Sequence, residues 1–185
     1  VGEAFDKVSK MLGLGYPGGP AIAQAATKGN PYKYSFPTAK LAGHFDFSFS
    51  GLKTAVLRQL QSMVKKDYTF PSFKIAALLS HKQQCDVAAS FQRVAVETLV
   101  DVTLRAYKNY LPQSVVIAGG VAANLELRKT LAQKLPIAIN YAPTELCTDN
   151  AAMIASFGYY LSKHSGSKLS GVNPLELEHL PSLSM

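Results

Sequence analysis

Two adjacent glycines, Gly119 and Gly120, end the apolar run Val115-Val116-Ile117-Ala118, and Asn124 follows them closely. In open α/β sheets, ligands sit at the carboxyl ends of strands. Glycines at such an end carry no Cβ, so a nucleotide can approach the backbone. The Asn124 amide could then bond a ribose hydroxyl or a base edge. The same spacing also describes a tight strand-to-helix turn with Asn124 as an N-cap. It is neither a Walker loop nor a dinucleotide fingerprint. A second glycine pair lies in Tyr16-Pro17-Gly18-Gly19-Pro20. Two backbone N–H groups brought together ahead of a helix suit an anion or a hydroxyl. Asp6 stands on the helix before that loop.

Asp149, in Cys147-Thr148-Asp149-Asn150, falls at the start of another helix. A carboxylate there serves as a metal ligand or simply caps the helix. One carboxylate does not hold a catalytic metal, which needs about three protein ligands. The histidines, His44, His81, His164 and His179, stand in unrelated segments and form no paired metal motif. No nucleophile elbow is present. Cys147, close to a helix N-terminus, is open to thiol activation, but a buried structural thiol is the plainer reading. Cys85 is the other cysteine. The two make no disulfide framework and fit a reducing, cytoplasmic compartment.

The elements that must position these residues follow from periodicity. Phe5, Val8, Met11 and Leu12 predict a helix over 3–14, and Pro20 is expected at the first position of the next. In 43–51, Phe45, Phe47 and Phe49 alternate with Asp46, Ser48 and Ser50, which predicts a half-buried strand. Gly51 opens a helix. A short helix is expected near 75–80 and a long one from Asp86 to Tyr110. The pattern then changes. Residues 114–120 predict a buried, central parallel strand, 121–135 a helix, 137–142 a second strand and 145–163 a third helix, together an α/β unit. The 164–185 tail is spotted with Ser, Pro and Gly and is expected to be irregular.

Composition supports a folded domain. Apolar residues make up 48% and charged residues 17% of the 185, which excludes a disordered chain. Lys and Arg total 19 against 12 Asp and Glu, giving +7, and such a balance favours an acidic partner, nucleic acid first. The longest apolar stretch, around Val115–Ala123, is far short of the about 20 residues of a membrane helix. The chain opens on Val1 and enters a helix at once, as if cut within an element.

In their order, GEAFDKVSKMLGLGYPGGP, FDFSFSGLKTAV, AGGVAANLELR and YAPTELCTDNAAMIA closely resemble the tRNA N6-adenosine threonylcarbamoyltransferase family, once called O-sialoglycoprotein endopeptidase. The resemblance runs from residue 2 to 155. It implies an α/β, actin-like ATPase fold of two ribonuclease-H-like lobes. This chain would be mostly the second lobe, over 1–163 with a helical insertion at about 31–110, and the first lobe would be absent. By motif, Asp6 and Gly19 would contact the ribose and phosphate region of an adenylate. Asn124, with Gly119 and Gly120, would contact the nucleotide, and Asp149 would be a metal carboxylate. The metal would be iron or zinc, with its remaining ligands in the absent lobe. The implied nucleotide is threonylcarbamoyl-adenylate, from which the threonylcarbamoyl group passes to N6 of adenosine 37 in tRNA reading ANN codons. The implied partners are tRNA, a paralogous actin-like subunit and a small ATPase, with no membrane. Rival readings are a metalloendopeptidase, a sugar-kinase-like ATPase and an inactive scaffold lobe.

Overall fold

A computed structural model describes residues 1–38 and 43–164. The chain divides into two compact units, Val1–Thr148 and Asp149–Met185. The expected irregular tail, and His179 with it, lies outside the described residues beyond residue 164.

In the first unit, α1 spans Gly2–Leu12 and buries Phe5, Val8 and Leu12, the periodic face expected of it. Gly13 ends it in the left-handed conformation (φ 70°), donating its N–H back to Lys10, where only glycine avoids strain. Helix α2 spans Gly18–Ala26. Pro20 therefore stands third in α2 rather than first; it is harmless there, because the first turn of a helix offers no intrahelical acceptor for its missing N–H. Helix α3 spans Ser50–Met63 and buries Leu52, Val56 and Leu60. A single turn, α4, covers Ser72–Ile75 and tightens into a 3₁₀ turn over Ala76–Leu78.

Helix α5 spans His81–Tyr110, starting five residues before the expected Asp86. The reason is a capping box: Ser80 Oγ accepts the Gln83 N–H at 3.3 Å and Gln83 Oε1 accepts the Ser80 N–H at 2.8 Å. Each satisfies a donor the helix start would otherwise leave bare. The amino half of α5 packs Val87, Phe91, Val94 and Ala95 into a core with α1 to α4. Phe91 meets Phe5 edge-on at 4.9 Å. Its carboxyl half sends Val96 and Val100 into a second core.

That second core includes β1 (Val115–Ile117), α6 (Leu125–Lys134) and β2 (Ile139–Tyr141). The strands pair in parallel, Val115 against Ile139 and Ile117 against Tyr141, so the strand–helix–strand order holds. The expectation that β1 is buried and central does not. Among the described residues the sheet has two strands, and one face alone is covered. Val115, Ile117 and Ile139 face Leu127 and Leu131 of α6, whereas Val116 is 66% exposed.

The strand expected over 43–51 is absent. Residues 43–46 form a turn closed by the Asp46 N–H to the Gly43 carbonyl at 3.1 Å, and the segment then enters α3. Phe49 is buried, Phe45 half-buried and Phe47 exposed, so the alternation marks no common face. A strand needs a neighbour for its backbone groups, and among the described residues β1 and β2 pair with each other alone. In the second unit, α7 spans Ala151–His164.

One face of α5 fastens the segment after α2. Asp86 Oδ1 accepts the Asn30 N–H and a proton from Lys82 Nζ, both at 2.7 Å. Ser90 Oγ donates to the Asn30 carbonyl, and Arg93 Nε to that of Pro31. Lys82 first, then the Asn30 N–H, holds the Asp86 carboxyl below its ordinary value. A depressed carboxyl stabilises the fold above its unfolded value of about 3.9, and that stabilisation is lost as pH falls through the folded value. Asp86→Ala is expected to cost about 1–3 kcal/mol at neutral pH, read by urea unfolding. The gap to the unsubstituted chain should narrow below pH of about 4; a gap independent of pH would contradict this account.

Candidate functional site

The first candidate segment is built by pressing α2 onto α1. The Gly18 N–H donates to Asp6 Oδ1 at 2.8 Å, so Asp6 caps α2 from another helix. A Cβ on Gly18 would stand 2.5 Å from the Asp6 Cα and 2.6 Å from the Phe5 carbonyl oxygen. Glycine is required for that approach, a second role of the loop that spacing did not reveal. Gly19, by contrast, has no atom within 4 Å of where a Cβ would sit, so its backbone at the start of α2 faces open space. Ser9, fully buried, donates from Oγ to the Gly15 carbonyl at 2.7 Å and anchors the loop from below. Beside it an open concavity of ≈ 660 Å³ is lined by Glu3, Asp6, Lys7, Lys10, Gly13, Gly15 and Tyr16. Lys7, with Lys53 adding its charge, holds the Glu3 carboxyl below its ordinary value.

The second candidate segment follows β1. Gly119 has φ 89°, a conformation side-chain-bearing residues rarely adopt. Its carbonyl accepts the Ala122 N–H at 2.8 Å, closing the turn. Neither Gly119 nor Gly120 has an atom within 4 Å of an added Cβ, so the strand end is open to an approaching group. Asn124 is the N-cap of α6: its Oδ1 accepts the Leu127 N–H at 3.0 Å. Its Nδ2 donates to Gln92 Oε1 of α5 at 3.0 Å. An amide has two donors and two acceptor positions, so these bonds fix Asn124 and leave one of each.

Helix α5 joins the two segments. Gln92, which holds Asn124, follows Phe91, and Phe91 packs on Phe5, the residue before Asp6. Gln92 gave no signal in the sequence, because a glutamine on a long helix has no periodic mark. Arg128 was equally silent. It donates to the Ala142 carbonyl at 3.0 Å, lies 4.7 Å over the Tyr141 ring and reaches Cys147 Sγ at 3.4 Å. Cys147 is buried in that knot, as a structural thiol would be.

Asp149 opens the second unit and is exposed. The side chain that caps α7 is Asn150, whose Oδ1 accepts the Met153 N–H at 2.9 Å; Asp149 as the expected cap is thereby corrected. Asn150 stands directly before α7, where a cap's side chain reaches the first turn. Among the described residues no three His, Cys, Asp or Glu side chains gather as a metal-binding group. The described residues thus do not by themselves fit an iron or zinc centre. His44 meets Phe45 edge-on and its carbonyl accepts from Arg105. Among the described residues no helix is long and apolar enough to cross a membrane.

Residues 1–156 match the family model described as "TsaD: tRNA N6-adenosine threonylcarbamoyltransferase". A protein of Desulfitobacterium hafniense bearing that enzyme name is 51% identical over 163 residues, covering 86% of this chain and 44% of the relative. One from Thermomicrobium roseum is 46% identical over 169 residues, covering 88% and 46%. One from Symbiobacterium thermophilum is 44% identical over 188 residues, covering 100% and 50%. The chain spans about half the length of the curated relatives it matches.

Two outcomes test the site geometry. Gly18→Ala is expected to lower stability by about 1–3 kcal/mol, since backbone atoms cannot step aside as side chains do. Gly19→Ala, one residue on, is expected to be neutral or slightly stabilising within a helix. Urea midpoints of the two variants check the contrast, and equal effects would refute it. Zinc titrated calorimetrically into this chain is expected to show no stoichiometric micromolar site at Asp149. Binding that disappears in Asp149→Ala would prove otherwise.

Proposed function

This chain belongs to the tRNA N6-adenosine threonylcarbamoyltransferase family, and from that membership we propose that the whole protein makes N6-threonylcarbamoyladenosine in tRNA. The observation that carries the reading is the match over residues 1–156, which takes in both candidate segments. The finer reading is that the donor is threonylcarbamoyl-adenylate and the acceptor adenosine 37 of tRNA reading ANN codons. The N6 amine attacks the carbamoyl carbon and a C–N bond forms. The bond from that carbon to the phosphate oxygen breaks, AMP leaves, and N6 gives up one proton.

This chain's residues would hold the donor. Asp6 uses Oδ1 for Gly18, and its other oxygen suits a ribose hydroxyl. An anionic side chain at that point disfavours a phosphate, which is better placed at the Gly19 backbone, where the start of α2 favours negative charge. Gly119 and Gly120 would let the nucleotide lie against the strand end, with the remaining valences of Asn124 for a hydroxyl or base edge. Asp149 would contribute one carboxylate to an iron or zinc ion. That ion needs ligands beyond the described residues, and no step is routed through it. Assembly with a paralogous actin-like subunit and a small ATPase, in the cytoplasm, completes the proposal. An α/β, actin-like lobe is the fold the family implies for it.

Whole protein supplied with threonylcarbamoyl-adenylate and unmodified tRNA is expected to yield the modified nucleoside, detected by mass spectrometry after tRNA digestion. Asp6→Asn, which can still cap Gly18, is expected to raise KM for the adenylate about tenfold, roughly one lost charge-assisted hydrogen bond. No product from the unsubstituted protein, or an unchanged KM in the variant, would sink the respective part of the reading.

A further inference from the structure

The segment that follows α3 displays aromatic rings without burying them. Tyr68 is 73% and Phe73 68% exposed. Each has a cation over its ring: Arg58 at 5.6 Å from the centre of Tyr68, Lys74 at 5.9 Å from that of Phe73. Lys66 lies 5.6 Å over Phe70, which is itself packed against the core. Residues 58–74 hold four cations and one carboxylate. That carboxylate, Asp67, is turned into its own loop, where Oδ1 accepts the Thr69 N–H at 2.9 Å and its hydroxyl at 2.6 Å.

The display is built rather than incidental. Gln61 is 3% exposed and sits under the loop. Its Nε2 donates to the Tyr68 and Phe70 carbonyls at 3.2 and 3.0 Å, and its Oε1 accepts from Arg58 at 3.1 Å. Lys65 turns the chain in the left-handed conformation, φ 54°. None of these bonds uses the Tyr68 ring or its hydroxyl, so the loop's shape does not depend on that ring. Packing therefore gives no reason for an exposed ring flanked by cations.

Rings held ready beside cations match one ligand chemistry well: unstacked bases joined by phosphates. Bases stack on aromatic faces, and the cations neutralise the backbone. A duplex keeps its bases stacked inside and cannot use the rings, so a hairpin loop or single strand is favoured. We propose that Arg58, Lys66 and Lys74, with the exposed rings of Tyr68 and Phe73, form a docking surface for the unpaired loop of an RNA hairpin. The proposal rests on the reading of the whole protein as a tRNA-modifying enzyme. It goes further by placing RNA contacts on a segment remote in sequence from the nucleotide-binding candidates.

The test uses the whole protein and a fluorescent anticodon stem-loop of unmodified tRNA, with anisotropy read between about 50 and 200 mM salt. The double variant K66E/K74E is expected to weaken binding at least about tenfold and to flatten the salt dependence. The double variant Y68A/F73A is expected to weaken it about tenfold with the salt dependence kept, since stacking carries no counterions. Thermal melts verify folding; should a double variant melt early, Tyr68→Ala and Lys74→Ala carry the same comparison. Affinities equal to the unsubstituted protein's overturn the surface, as does a whole protein without RNA affinity. Loss of an acidic protein partner with RNA affinity intact also overturns it. If the protein modifies tRNA but the variants bind and act as it does, the surface fails and the transferase reading stands. If it binds the stem-loop through these residues yet forms no product, the reverse holds.

Discussion

Everything in the first unit hangs on one helix being buried along two successive stretches. The amino half of α5 fills one core with Phe91, Val94 and Ala95, and its carboxyl half fills another with Val96 and Val100. Each buried Val or Phe among them contributes about 1.5–3 kcal/mol of transfer free energy. The more telling effect is geometric. Neither core can shift along α5 without shifting the other, because one rigid element carries both sets of contacts. The capping box at Ser80 and Gln83 sets where that element begins, and with it the register of every contact along α5. The polar face works in the same sense. Asp86, Ser90 and Arg93 recur at helical spacing and hold residues 30 and 31 by their backbone groups, so the connection out of α2 is fixed to the same helix as α2 itself.

Close approach is the second constraint, and glycine is how the sequence meets it. Gly29 passes so near α5 that a Cβ would overlap the Cys85 carbonyl at 2.0 Å. Gly18 does the same against α1. These glycines are required by close contact, whereas Gly19, Gly119 and Gly120 stand against open space, Gly119 being required instead by its positive φ. The distinction matters because both sorts look alike in a sequence. Within the pair Gly18-Gly19, one residue lets two helices touch and its neighbour leaves room for something else.

The helices were legible because their apolar residues recur at 3–4 positions, and the strand–helix–strand order because a continuous β-branched run precedes Gly119 and a short, largely apolar segment closed by Pro143 follows the helix. What could not be read was pairing. Phe45, Phe47 and Phe49 alternate as a strand would, yet alternation states only which residues could share a face, not that a neighbouring strand exists. Val116 was misjudged for the same reason: a continuous apolar run implies two covered faces, and the structure covers one. Of the candidate site, Asp6 and Asn124 stand out through their motifs, and the structure shows how each is held. Ser9, Gln92 and Arg128 do not stand out, because their importance lies in partners at 6, 32 and 14 positions' distance, which no local pattern encodes.

The two polar side chains of the candidate site share a physical design. Asp6 and Asn124 each already make a bond that fixes the side chain, to Gly18 in one case and to Leu127 and Gln92 in the other. A side chain free to rotate would have to be ordered on binding, at about 0.5–1.5 kcal/mol for a rotamer-rich one. Here that ordering belongs to folding, and the valences that remain point where the fold leaves them. Under the proposed reading, the capping bonds that look like a purely structural use of these residues would also hold them ready for a ligand. N-cap and binding residue would not be competing descriptions of Asn124: the first supplies the orientation that the proposed second role would require.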